Sequence, residues 1–159
     1  GKEAVCVFQN KLSGYVHFSQ NSSQEGVKVR YDIRNLKQGK HGFHIHKFGD
    51  LRGTNCSNCN EHWNPFNKTH GGRHDKNSHA GDLGNITANK MKRSRGTFTV
   101  DKITMFGKRS IIGRSLIVHD GEDDLGRGED SIYGLEGASL INGNAGRRLD
   151  CAVIGISKE

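Results

Sequence analysis

His44 and His46 stand two residues apart in the run Gly42-Phe43-His44-Ile45-His46. On an extended strand, side chains at i and i+2 point to one face, so the two imidazoles look the same way. His62, His70 and His79 follow in one long polar stretch, with Asp82 three residues after the last of them. His119 closes an apolar run, Ser115-Leu116-Ile117-Val118-His119, and an acidic, Gly-rich stretch begins behind it. Six of the nine histidines, with one aspartate, thus form the pattern a metal site needs. Imidazole nitrogens are the commonest ligands of copper and zinc, and a single carboxylate suits zinc. The plain alternative is a set of exposed loop histidines in a polar chain. It accounts poorly for two on one strand face, three in one loop with a trailing Asp, and one at a strand end.

The sulfur residues are less decisive. Cys6, Cys56, Cys59 and Cys151 allow three pairings, and spacing alone does not choose among them. Cys56 and Cys59 form a C-x-x-C, but no βαβ pattern surrounds it and no second C-x-x-C follows to complete a zinc site. Cys6 reads as a buried, inert thiol on a strand.

These residues need a scaffold. Short alternating runs at 4–8, 14–18, 27–33, 42–46, 96–100, 103–106, 115–119 and 152–156 read as eight strands separated by Gly, Asn, Asp and Ser. No long amphipathic helix stands out. Many short strands with glycine turns point to an all-β sandwich or closed barrel. Two stretches resist strand assignment, 47–83 and 120–147, and long loops in a small domain usually carry function. At 159 residues the chain is sized for one domain, 1–159. No run of 18 apolar residues exists, so no membrane span is expected. The chain opens at Gly1 without an apolar leader, so no signal peptide is expected over these residues, and an original leader stays open. The net charge of +7 raises anionic partners. The basic residues look dispersed, and the densest group, Lys90, Lys92, Arg93 and Arg95, reads as a solvated turn. No nucleic-acid partner is expected, since neither an aromatic RNA-binding signature nor a recognition helix is present.

Several segments together carry a resemblance to a known family. They are Gly42-Phe43-His44-Ile45-His46-Lys47-Phe48-Gly49-Asp50, His62-Trp63-Asn64-Pro65, His70-Gly71-Gly72 and His79-Ala80-Gly81-Asp82-Leu83-Gly84-Asn85. Ile112-Gly113-Arg114, His119, Asp123-Asp124-Leu125-Gly126, Gly143-Asn144-Ala145-Gly146-Arg147-Arg148-Leu149 and Cys151-Ala152-Val153-Ile154-Gly155-Ile156 follow in order. The chain resembles the copper/zinc superoxide dismutases over nearly its whole length.

The resemblance implies an eight-stranded Greek-key β-barrel, an immunoglobulin-like sandwich, with 47–83 as the metal-binding loop and 120–147 as the electrostatic loop. It implies copper on His44, His46, His62 and His119, and zinc on His62, His70, His79 and Asp82. His62 would bridge the two ions and carry protons. Asp123 would link His44 to His70, and Arg148 would dock the anionic substrate, superoxide. A Cys56–Cys151 disulfide would tie the metal loop to the last strand, leaving Cys59 as a departure beside it. A homodimer and a copper chaperone as donor are the implied partners. The competing reading is a non-catalytic copper-binding or copper-delivery relative, which predicts missing ligands or a missing docking arginine. The second loop departs most from the family. It carries Ile132, Tyr133, Leu135, Leu140 and Ile141, with Glu129 and Asp130 standing for the usual acids. N-x-S/T sequons at Asn21, Asn55, Asn67 and Asn85, the basic balance and a disulfide lean slightly towards an extracellular over a cytoplasmic compartment.

Overall fold

The structure is a computed structural model and describes residues 1–128 and 138–158. Ile132, Tyr133, Leu135, Glu129 and Asp130 lie outside the described residues.

Alternation builds the first sheet. β1 (Lys2–Phe8), β2 (Ser13–Gln20) and β3 (Val27–Arg34) run consecutively antiparallel. Their Ala4, Cys6, Phe8, Val16, Phe18, Val27, Val29 and Ile33 turn inward and are buried. β6 (Arg93–Val100) pairs with β3. A two-residue β9 (Gly155–Ile156) caps the other edge, giving the order β6-β3-β2-β1-β9. The second sheet has the order β5-β4-β7-β8. It comprises β4 (Gly39–His46), β5 (Asp82–Ala88), β7 (Ser115–His119) and β8 (Arg148–Val153). The chain leaves the first sheet after β3 and returns to it at β6, which is the Greek-key crossing. Between the sheets one apolar core joins Phe8, Phe18, Phe43, Ile45, Leu83, Leu116 and Val118. Tyr31 and Phe98 pack against it from its edge and meet Phe43 at centroid distances of 5.8 to 6.5 Å.

The second sheet is covered on both faces. β4 is buried from His41 to His46, and all of β7 is buried. Phe43 and Ile45 face the core, so His44 and His46 face outward. They are nonetheless only 0% and 1% exposed, because the two long loops fold over this face. The register shifts between Gly42 and His44 and again between Val118 and His119. Such irregularities re-aim side chains beside functional sites. Among the described residues, the only α-helix is the short α1 (Ala138–Asn142), and no helix could cross a membrane.

Two expected elements differ. Residues 103–106 are no strand. Gln20 takes the Met105 amide on its side-chain oxygen at 2.7 Å, and only a single bridge joins Thr104 to Ser110. Ile103 and Met105 are buried, so their alternation reflects burial without a ladder. Conversely β5 begins inside the expected metal loop. Its Asn85 and Gly84 disguise the alternation. The last run, 152–156, is divided between β8 and β9, which belong to different sheets.

Candidate metal centre

The imidazoles of His44, His46, His62 and His119 offer ligand atoms that all lie within 4.8 Å of one another. A second group within the same limit is His44, His62, His70 and Asp82. His44 and His62 belong to both, His44 standing in the second group where His79 was expected, and all these side chains are buried.

Each ring is oriented by the nitrogen it does not offer. His46 Nδ1 lies 2.7 Å from the Asn60 carbonyl and His119 Nδ1 lies 3.0 Å from the Gly146 carbonyl. Both rings therefore donate through Nδ1 and leave Nε2 as a lone-pair donor. His44 is reversed, with its Nε2 2.6 Å from Asp123 Oδ2, leaving Nδ1. His46 Nε2, His119 Nε2 and His44 Nδ1 are buried and have no hydrogen-bond partner among the described residues. Three orphaned, buried nitrogens converging within 4.8 Å are costly unless a cation takes them. Burial, followed by the mutual proximity of the rings, holds His44 and His46 well below the ordinary imidazole range. Burial also pushes His119 down to about 4. These rings are neutral and ready to ligate.

The second half is organised around Asp82. His62 Nδ1 and His70 Nδ1 each lie 2.9 Å from its Oδ1, and His79 Nδ1 lies 3.3 Å away. His79 Nδ1 is also 3.1 Å from His62 Nδ1, so the three imidazole nitrogens surround one carboxylate oxygen. The other oxygen accepts the Gly71 and His79 amides at 3.0 and 2.7 Å, which fixes the loop ends. Burial would raise Asp82, but the three histidines outweigh it and hold the carboxyl far below its usual range. His70 goes the other way. Burial pushes it down, yet its bonds to Asp123 and Asp82 lift it to about 9. Asp123 bridges the halves, receiving His44 Nε2 on one oxygen and His70 Nε2 on the other at 2.7 Å. Gly143, at φ 71°, passes so close that a Cβ there would collide with the Asp123 carboxylate and the His70 ring.

A cavity of about 490 Å³ opens onto this centre. His46, His62 and His119 line its inner part, with Arg148, Glu61 and Ile141 also in its wall. Arg148 donates to the Cys56 carbonyl at 2.9 Å and to the Asn60 carbonyl at 2.6 Å. These carbonyls flank a 3-10 turn, Ser57–Cys59. Cys56 is joined by a disulfide to Cys151, three residues after Arg148 on β8, with Cα atoms 6.2 Å apart. Cys59 is a free, buried thiol packed with that disulfide and Ile117, and burial raises its pKa. Cys6 is likewise free and buried.

The family model for copper/zinc superoxide dismutase (SODC) matches residues 12–154. The superoxide dismutase [Cu-Zn] 5 of Dictyostelium discoideum is 48% identical over 156 residues, 98% of each chain. The chain belongs to the copper/zinc superoxide dismutases. The two overlapping ligand groups, the arginine-walled channel and the disulfide lie within the part of this superoxide dismutase that the family model matches.

Some residues of the dismutase centre escape a reading of the sequence. Asn85 holds the main chain of Asp123. His41 spans two carbonyls, His119 at 2.8 Å and Lys37 at 2.7 Å, and so ties the end of β7 to the β3–β4 turn. His41 carried a faint signal, as a histidine three residues before His44 on the same strand.

Proposed function

We infer that this chain dismutates superoxide to dioxygen and hydrogen peroxide. The observation that carries this is His62, whose Nδ1 lies 2.9 Å from Asp82 while its ring lines the same channel as Arg148. His44, His46, His62 and His119 would hold copper, since imidazole suits that ion and His44 Nδ1, His46 Nε2 and His119 Nε2 have no other partner among the described residues. His62, His70, His79 and Asp82 would hold zinc, three nitrogens and one oxygen being a common tetrahedral set. Bound copper supplies the one-electron couple, while zinc has no redox chemistry.

The chain's own residues do the rest. Arg148 offers N–H groups to the incoming anion while its remaining donors grip the Cys56 and Asn60 carbonyls. His62 Nδ1 is engaged among His70, His79 and Asp82, which leaves Nε2 facing the channel side. There Nε2 takes a proton as the first superoxide gives up its electron. It delivers that proton as the second is reduced, completing two protons per peroxide with one from solvent. Asp123 holds His44 and His70 in fixed tautomers throughout.

Assembly and compartment belong to the same proposal. Val7, Leu51, Val153 and Ile156 are 50%, 44%, 38% and 81% exposed, and they support a homodimer. A copper chaperone is the proposed donor, which a pull-down with the metal-free chain tests. The exposed Asn21 and Asn67 sequons and the disulfide support an extracellular site. The Asn85 side chain is already engaged with Asp123. Sedimentation tests the first claim, and fractionation of cells expressing the full gene tests the last.

The function itself is tested on one purified sample by metal content and superoxide decay with and without cyanide. One copper and one zinc per chain with cyanide-sensitive activity is expected. Full metal loading without activity would leave a copper-binding relative instead.

A further inference from the structure

The segment from His70 to His79 contributes two histidines to the Asp82 cluster, yet it has no regular secondary structure. Asp82 pins its two ends through the Gly71 and His79 amides. Its middle turn is closed internally by Asp75. That carboxylate accepts the Gly72 amide at 2.7 Å, and the Asp75 carbonyl accepts the Ser78 hydroxyl at 2.7 Å.

One side chain reaches this turn from the β6–β7 connection. Lys102 Nζ donates to Ser78 Oγ at 2.9 Å and lies 3.5 Å from the Gly72 carbonyl, so it touches both sides of the turn. Ser78 is only 5% exposed and Lys102 is half-buried, so the contact is partly shielded from water. Other cations near the segment hold it differently. Arg127 grips Asp75 through an ion pair whose side chains are 60% and 34% exposed, and exposed pairs add little. Arg73 bonds the Leu83 carbonyl and stacks on Phe98, which ties the turn to β5 and the core. Burial pushes Lys102 down to about 8, with Asp82 and Asp75 pulling the other way, so in the metal-free chain it is an ammonium at neutral pH.

We propose that Lys102 is a positioning residue for the zinc half of the centre, a strut whose ammonium locks the 72–78 turn and thereby the spacing of His70 and His79. This rests on the metal assignment above. It makes zinc retention depend on a side chain that touches neither a ligand nor the channel. Lys102 and Ser78 act as one unit, so removing either should have the effect of removing both.

The test is zinc release from the copper- and zinc-loaded protein into a chromogenic chelator at a fixed sub-denaturing guanidinium concentration. Copper loss and the melting temperature of the metal-free protein are followed in parallel. Lys102→Met is expected to release zinc about tenfold faster, as loss of a ligand-orienting partner does. Copper release should be unchanged. Lys102→Arg keeps a donor and should restore most of the retention. Ser78→Ala should match Lys102→Met, and the double variant should be no faster than either. An unchanged zinc rate overturns the proposal. Slower release also overturns it, since the ammonium would then merely repel the cation. Equal acceleration of both metals with a lowered metal-free melting temperature would reduce Lys102 to general stability. A parent protein that takes up no zinc overturns the metal assignment instead.

Discussion

Asn85 grips the main chain of Asp123 at two points, its Nδ2 donating to the Asp123 carbonyl at 2.9 Å and its Oδ1 accepting the Asp123 amide at 2.7 Å. A strand residue of β5 thus sets the carboxylate that His44 and His70 share. Asp123→Asn retains the shape but offers one acceptor oxygen where two are used. Zinc affinity is expected to fall about 10- to 100-fold. Asn85→Ala should move it in the same direction by less. Titration of the metal-free variants with zinc against a competing chelator checks both.

Arg148 is held by two carbonyls, and a lysine ammonium cannot span both while presenting a flat donor face. Arg148→Lys is expected to lower kcat/KM about tenfold, and Arg148→Ala more, within the range by which positive steering raises capture rates. Metal content should not change. Superoxide decay followed by pulse radiolysis, beside metal analysis of the same samples, reads both quantities.

Glu61 lines the channel that an anion must enter, and the Lys47 ammonium is 4.0 Å away. Its side chain is 70% exposed, so its field is largely screened. Glu61→Gln should raise the rate about twofold at ~0.01 M salt and change nothing at ~0.3 M. Equal gains at both ionic strengths would show that something other than charge had been altered.

Without metals, two histidines set opposing pH limits on stability. His119 is depressed from 6.5 to about 4, so the unfolded chain binds more protons between those values, and stability rises with pH across that window. His70 is raised from 6.5 to about 9, so its contribution is complete below 6.5 and lost as pH climbs through 9. The metal-free protein should therefore melt highest near pH 6.5 and lower at pH 4 and pH 9. Calorimetry across that range decides it, and a melting temperature still rising at pH 9 would contradict the His70 assignment.

Much of the centre was legible because coordination chemistry restricts residue types, and strand geometry puts His44 and His46 on one face. The disulfide partners and Arg148 were legible only through the family resemblance, since four cysteines alone leave three pairings open. What orients the rings was not legible. The partners of His46, His119 and Arg148 are carbonyls of Asn60, Gly146 and Cys56, and a carbonyl has no letter of its own. β5 stayed hidden because its Asn85 spends its polarity inward on Asp123. Residues 103–106 looked like a strand because apolar alternation reports burial, whereas a ladder also requires a neighbour with free donors. Lys102 gave no signal, because a lone lysine between strands reads as a solvated charge.

Arg148, Leu149, Asp150, Cys151, the disulfide and Cys56 close a ring whose last link is the hydrogen bond from the guanidinium to the Cys56 carbonyl. Arg148 is thus triangulated by a bond that an oxidant makes and a reductant breaks. A reduced chain keeps every metal ligand, yet one of the two carbonyls that aim Arg148 is no longer tethered to its strand. Reducing the disulfide would therefore loosen one of the two holds on the guanidinium and leave the Asn60 carbonyl as the other.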